Sequence, residues 1–210
     1  RLASAGVGAG DVVAVRLPNR VELIVVLFAA WRLGAAATPV NPALTAGEAG
    51  YQLTDASARV LVCEDDATAA ADRPVLTLAD LAEPVDTAAT PTADLSEAAL
   101  ALLIYTSGAT GRPKGVELTH ANLTAMTRSI IGFTGMGSDA HSLLILPLFH
   151  VNGIVVSVLT PLLAGGQTTV AGRFNPATFF DIVERVRPTT FSAVPTIYGM
   201  LVGLPADVVP

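Results

Sequence analysis

Over its first 63 residues this chain alternates between strand-length and helix-length apolar segments, each closed by a breaker. Residues 11–17 (DVVAVRL) have the length and branching of a strand and stop at Pro18-Asn19. Residues 21–33 are helix-length and apolar and run into Gly34, a C-terminal stop. Residues 36–40 form the next strand, closed by Asn41-Pro42. Thr45 with Glu48 three residues on has the spacing of a capping box, so a helix over 45–54 is expected, followed by a strand over 59–63. Strand–helix–strand–helix–strand in that order constrains the fold to parallel strands joined by right-handed crossovers, an α/β class.

Hydrophobic residues make up 51% of the 210 and charged residues only 14%, which leaves a membrane protein or a piece of a larger core. The longest apolar candidate, residues 23–31, lies between Glu22 and Arg32 and is too short to cross a bilayer. Arg1-Leu2-Ala3-Ser4 is not the start of a secretory leader, so the second explanation is preferred. The net charge of −6 without a basic stripe excludes nucleic acid as a partner. Cys63 is the only cysteine, which rules out an internal disulfide and fits a reducing, cytoplasmic setting; within Val60-Leu61-Val62-Cys63 it is a core thiol.

The chemistry concentrates after a fifth apolar run, residues 100–105. Thr106, Ser107, Gly108, Ala109, Thr110, Gly111, Arg112, Pro113, Lys114 and Gly115 bring three glycines, three hydroxyls and one lysine into ten residues. Glycines let main-chain N–H groups turn onto an oxyanion, and hydroxyls and an ammonium add donors and charge. Lys114 is the only lysine in the chain; every other cationic side chain is an arginine. A compact ammonium on a flexible stem suits a moving phosphate better than a rigid fork. The loop is not that of a P-loop NTPase, which needs Gly at Pro113 and Ser or Thr at Gly115. Pro113 also keeps Val116-Glu117-Leu118 extended before any helix begins.

Tyr105 to Val116, YTSGATGRPKGV, resembles the phosphate-loop signature of the adenylate-forming superfamily: acyl-CoA synthetases, adenylation domains of peptide synthetases and beetle luciferases. The resemblance covers nearly the whole chain. Ala109 departs from it, because the family usually carries a hydroxyl there. Pro147-Leu148-Phe149-His150-Val151-Asn152-Gly153 resembles the family's second signature, a turn at the mouth of the acyl pocket. On spacing alone His150 would be a packed strand-end histidine. The resemblance instead makes His150 the catalytic candidate and a residue of the acyl pocket, with Val151, Asn152 and Ile154 as wall candidates and Gly153 leaving room for a substrate chain.

Between these signatures, residues 64–97 form a loose connector with one strand near 75–81. A helix begins at Thr119 to Leu123, capped by Thr119 and Asn122, with His120 on its cap side. Residues 132–139 are a joint, which divides the chain into a first α/β subdomain over 1–134 and the start of a second over 135–210. In the second, a strand at 142–146, a helix from Gly153 to Leu163, a strand at 168–171, a helix capped by Asn175 and Pro176 and running to Arg187, a strand at 189–194 and a last helix fading by Gly203 are expected.

The resemblance implies two stacked α/β subdomains with largely parallel sheets, as in the incomplete large N-terminal domain of an acyl-CoA synthetase. It implies that a fatty or related carboxylic acid attacks the α-phosphate of ATP, with Mg²⁺, and that coenzyme A then displaces AMP. Thr106, Ser107, Thr110 and Lys114, with the amides of Gly108 and Gly111, would hold the β- and γ-phosphates. The segments expected to hold Mg²⁺ and the ribose, Tyr-Gly-x-Thr-Glu and Thr-Gly-Asp, are not among these residues, and no metal ligand is assigned. A missing C-terminal part of the same chain is therefore expected as a partner, and these residues alone are expected not to turn over. A peptide-synthetase adenylation domain would place an aspartate where His150 stands. A binding module that holds nucleotide without chemistry is the remaining alternative.

Overall fold

The computed structural model describes residues 1–64, 73–84, 92–107 and 111–205. The chain falls into two compact units, Arg1–Leu123 and Thr124–Pro210.

The first unit is a six-stranded sheet in the order β4-β3-β1-β2-β5-β6. Its strands are β1 (Val12–Arg16), β2 (Ala36–Pro39), β3 (Val60–Cys63), β4 (Val75–Thr77), β5 (Leu100–Thr106) and β6 (Lys114–Thr119). The first five run parallel, and β6 turns back antiparallel along β5. The sheet is thus mixed but mostly parallel, as the alternation of elements requires. Every residue of β2 and β3 is buried; β3 is apolar throughout, and the one polar residue of β2, Thr38, accepts from the Gln52 side-chain amide at 3.2 Å.

Helix α1 (Val21–Arg32) ends at Leu33, and Gly34 takes the left-handed φ of 78° that stops it. Trp31 on α1 donates its indole N–H to the carbonyl of Ala101, 2.8 Å away and buried. Ala101 is the residue skipped by a bulge in the β5–β6 register between Leu100 and Leu102. Helix α2 (Ala46–Asp55) starts from the expected capping box, with both the Thr45 and the Glu48 side chains engaged. Its Ala49 and Leu53 are fully buried in one cluster with Ala14, Val40, Leu61 and Cys63, so the lone cysteine is a core thiol.

Two features differ from the expectation. The connector supplies β4 and also a short helix α3 (Leu78–Ala82), started by a second capping box from Thr77 and Asp80. The extended stretch after Pro113 is a full strand, β6, and Lys114 is its first residue rather than a loop residue. Helix α4 (His120–Thr134) follows β6 directly and carries the division between the units.

The second unit has a three-stranded parallel sheet, β8-β7-β9, from β7 (His141–Leu144), β8 (Gln167–Val170) and β9 (Thr190–Phe191). Helices α6 (Pro176–Val186) and α7 (Pro195–Val202) bury Phe179, Ile197 and Leu201 against Leu143, Ile145 and Leu146.

The segment expected as one α-helix over 153–163 is instead a π-helix, Asn152–Leu159, passing into a single α-turn, α5 (Thr160–Leu163). Pro161 has no N–H to offer the carbonyl of Ser157. That carbonyl accepts instead from the Thr168 hydroxyl of β8 at 2.9 Å. Thr160 reaches back five residues, donating both its N–H and its hydroxyl to Val155 O, the latter at 2.7 Å. Among the described residues no helix is long and apolar enough to cross a membrane.

Candidate functional site

The β5–β6 hairpin puts the glycine-rich segment at the carboxyl edge of the sheet, because β5 runs parallel to β2, and β2 to β1. Thr106 closes β5 and pairs with Lys114, the first residue of β6. Paired residues of an antiparallel ladder project to the same face, so the hydroxyl and the ammonium leave the sheet together. Both are exposed, as are Ser107 and Gly111. Gly111 holds φ at 87°, a conformation open to glycine and strained for other residues. Gly108, Ala109 and Thr110 lie outside the described residues. The carboxyl edge of a parallel sheet is where α/β folds hold ligands. An exposed hydroxyl, an ammonium and a left-handed glycine at that edge have the donor chemistry of an oxyanion site.

Behind the hairpin stands α2. The Tyr51 hydroxyl donates to the Pro113 carbonyl at 3.2 Å, and the Arg112 guanidinium lies 5.9 Å from the centre of the Tyr51 ring. Tyr105 donates its hydroxyl to the Asp55 carboxylate at 2.6 Å. Burial first, and then that carboxylate, raise the Tyr105 phenol above its ordinary value, so it stays a donor. Tyr105 faces Gly115 in the register. A Cβ on Gly115 would sit 2.9 Å from Leu103 Cδ1 and 3.3 Å from Tyr105 Cζ, so the glycine lets the ring cross the strand. Sequence reasoning missed Tyr51 and Asp55, and gave no separate role to Tyr105 and Arg112 within the loop signature. The available signal was the four-residue spacing of Tyr51 and Asp55, which puts both on one face of a helix.

In the second unit His150 is exposed in the turn after β7, its ring 4.6 Å from that of Phe149. Its N–H donates to the Pro147 carbonyl at 3.1 Å, and its own carbonyl accepts from Ile154 at 3.3 Å, which leads the turn into the π-helix. Val151 is 40% exposed. Asn152 is fixed by the Ser192 hydroxyl, which donates to its Oδ1 at 3.0 Å. Ile154 is fully buried and belongs to the core. The space beside Gly153 is taken: a Cβ there would lie 2.5 Å from the Pro147 carbonyl oxygen. Close approach of main chain to main chain, not passage for a substrate, is what requires that glycine.

A cavity of about 310 Å³ opens in the first unit at the opposite, amino-terminal edge, beside Gly10, Asp11, Gly34, Ala36, Asp94 and Leu100. Alanine and glycine dominate its wall, and it holds none of the hairpin donors.

The chain matches the family model described as AMP-binding enzyme over residues 1–208. It is 34% identical to the probable CoA ligase CCL9 of Humulus lupulus across 95% of its own length and 42% of that protein's. It is 36% identical to a feruloyl-CoA synthase of an Amycolatopsis species, across 97% of its own length and 42% of that protein's. The O-succinylbenzoate coenzyme A synthetase MenE of Bacillus subtilis, solved in complex with ATP and magnesium ion, superposes with a TM-score of 0.86 at 27% identity, across 98% of this chain and 57% of that one. The chain therefore spans less than half the length of the curated relatives it matches.

Proposed function

Since the chain belongs to the family of AMP-binding enzymes, we propose that it supplies the phosphate grip of an ATP-dependent acid–thiol ligase, an acyl-CoA synthetase. The observation that carries this reading is the pairing of Lys114, the only lysine, with Thr106 at the carboxyl edge of a parallel sheet. In the proposed reaction a carboxylate attacks the α-phosphorus of ATP, forming acyl-adenylate and releasing pyrophosphate. The thiol of coenzyme A then attacks the acyl carbon, forming the thioester and releasing AMP.

Thr106, Ser107, Thr110 and Lys114, with the amides of Gly108 and Gly111, hold the β- and γ-phosphates in this scheme. The barrier they lower is electrostatic: charge builds on the pyrophosphate as it leaves, and preset donors meet it without reorganising. Magnesium would share that charge; none of the residues described is assigned to it. His150 and Val151 stand at the mouth of the acid pocket. The acid itself differs among relatives, which are named for feruloyl and O-succinylbenzoate thioesters. A carboxylic acid is therefore the substrate class proposed, with fatty acids as one branch of it. Turnover is assigned to a longer parent polypeptide and not to these 210 residues alone, and a reducing, cytoplasmic compartment suits a sequence whose single cysteine, Cys63, is buried in the core.

One observation favours a second reading, a nucleotide-binding module without chemistry: Ala109 lacks the hydroxyl the family usually places there. Calorimetric titration of this chain with ATP and Mg²⁺ tests the shared premise. Lys114→Ala is expected to weaken binding at least about tenfold, the scale of one lost charge-assisted contact. Equal heats for the two chains would sink the phosphate site. Pyrophosphate release by the full parent polypeptide with a panel of carboxylates separates ligase from module.

A further inference from the structure

We propose that Tyr51 and Asp55 of α2 are positioning residues that set the β5–β6 hairpin for phosphate before the nucleotide arrives. The inference rests on the nucleotide reading above and goes beyond it by assigning a role to a helix that carries none of the proposed phosphate ligands.

Tyr51 and Asp55 are four residues apart and so project from one face of α2. Together they hold both legs of the hairpin. Asp55 takes the outgoing leg through the Tyr105 hydroxyl at 2.6 Å. Tyr51 takes the returning leg through the Pro113 carbonyl at 3.2 Å, with Arg112 over its ring. Each anchor point is one residue from a proposed phosphate ligand: Tyr105 precedes Thr106, and Pro113 precedes Lys114. Successive strand residues alternate between faces. Tyr105 and its partner Gly115 are therefore on the face towards α2, and Thr106 with its partner Lys114 is on the other. The helix grips the hairpin from behind and leaves the ligand face clear.

The grip has a physical purpose. The hairpin presents Thr106 and Lys114 from exposed strand ends, and fixing such backbone only at the moment of binding costs conformational entropy. Fixing its two legs in advance removes part of that cost and raises affinity without adding a contact to the ligand. Gly115 belongs to the same device, since a side chain there would press first on Leu103, at 2.9 Å, and then on the Tyr105 ring, at 3.3 Å.

The experiment compares this chain with its Tyr51→Phe, Asp55→Ala, Asp55→Asn and Lys114→Ala forms. Three things are measured: affinity for ATP with Mg²⁺, affinity for inorganic tripolyphosphate, and amide hydrogen exchange across residues 111–116 without ligand. Tyr51→Phe and Asp55→Ala are expected to weaken both ligands about three- to tenfold, the scale of one hydrogen bond, and to speed exchange. Asp55→Asn keeps an oxygen to accept from Tyr105 and is expected to restore most of the affinity, a rescue that general destabilisation would not give. Lys114→Ala is expected to lose affinity with exchange unchanged. If Lys114→Ala loses binding while Tyr51→Phe and Asp55→Ala bind and exchange as the parent does, the positioning role is overturned and the nucleotide reading stands. If the unaltered chain binds neither ligand, the nucleotide reading falls and takes the positioning role with it.

Discussion

His120 begins α4 with its ring edge-on to Trp31, centroids 5.6 Å apart, and its Nε2 is buried with no hydrogen-bond partner among the described residues. Burial disfavours the imidazolium and lowers its pKa from the ordinary 6.5. In the unfolded chain the ring takes up a proton more readily, so between the two pKa values the unfolded state binds more protons. Stability is then greatest above 6.5 and declines as pH falls through the native value. His120→Phe keeps an aromatic edge against Trp31 and removes the titration. Urea midpoints above and below this window should fall more for the unaltered chain than for His120→Phe; parallel pH dependences would refute the assignment. Single residues were legible here where backbone geometry alone decides. Gly111 sits in a left-handed turn and Gly34 behind a helix, as their neighbours in sequence indicate. The reason for Gly153 was not legible, because the atom that excludes a side chain there is the carbonyl of Pro147, six residues earlier and brought close only by the turn.

At the scale of elements, caps were the most readable signals. Asn175 accepts from the Ala177 N–H at 3.0 Å with Pro176 in the first turn, and α6 starts where those two residues predict. Asn175→Ala should therefore lower the unfolding free energy by about 1 kcal/mol with the slope against denaturant unchanged. No loss would mean that packing of Phe179 against Phe174, Phe180 and Phe191 sets the helix start without the cap. The π-helix was not readable from its apolar composition, which suits an α-helix equally. Its choice depends on a carbonyl orphaned by Pro161 finding Thr168 on the following strand, a partner that only the tertiary fold supplies. Strand β6 escaped for a related reason. None of its residues is fully buried, so no alternation of burial marks it, and its existence rests on the ladder with β5.

At the scale of the whole molecule, the field opposes the proposed ligand. A net charge of −6 repels a nucleotide triphosphate at long range, so attraction has to be short-ranged and local to the hairpin. The parallel order of the first unit and the place of the glycine-rich segment at its carboxyl edge follow from element order, and both were legible. How α2 braces that segment was not, because Tyr51 and Pro113 are far apart in sequence and meet only when β5 and β6 pair. Composition turns the locality of the charge into a measurement. This 210-residue chain has one lysine and one α-amino group, so an amine-acylating reagent has two targets, and peptide mass analysis separates them. Lys114 is exposed and should react readily in the free chain. Saturating ATP with Mg²⁺ should slow acylation of Lys114 about tenfold or more, since the amine reacts only in the unbound fraction. The α-amino group has no part in the proposed grip and is expected to react at the same rate with and without nucleotide. Loss of reactivity at both amines would point to reagent consumption or a global change, and an unchanged rate at Lys114 with nucleotide bound would place the ammonium outside the phosphate contact.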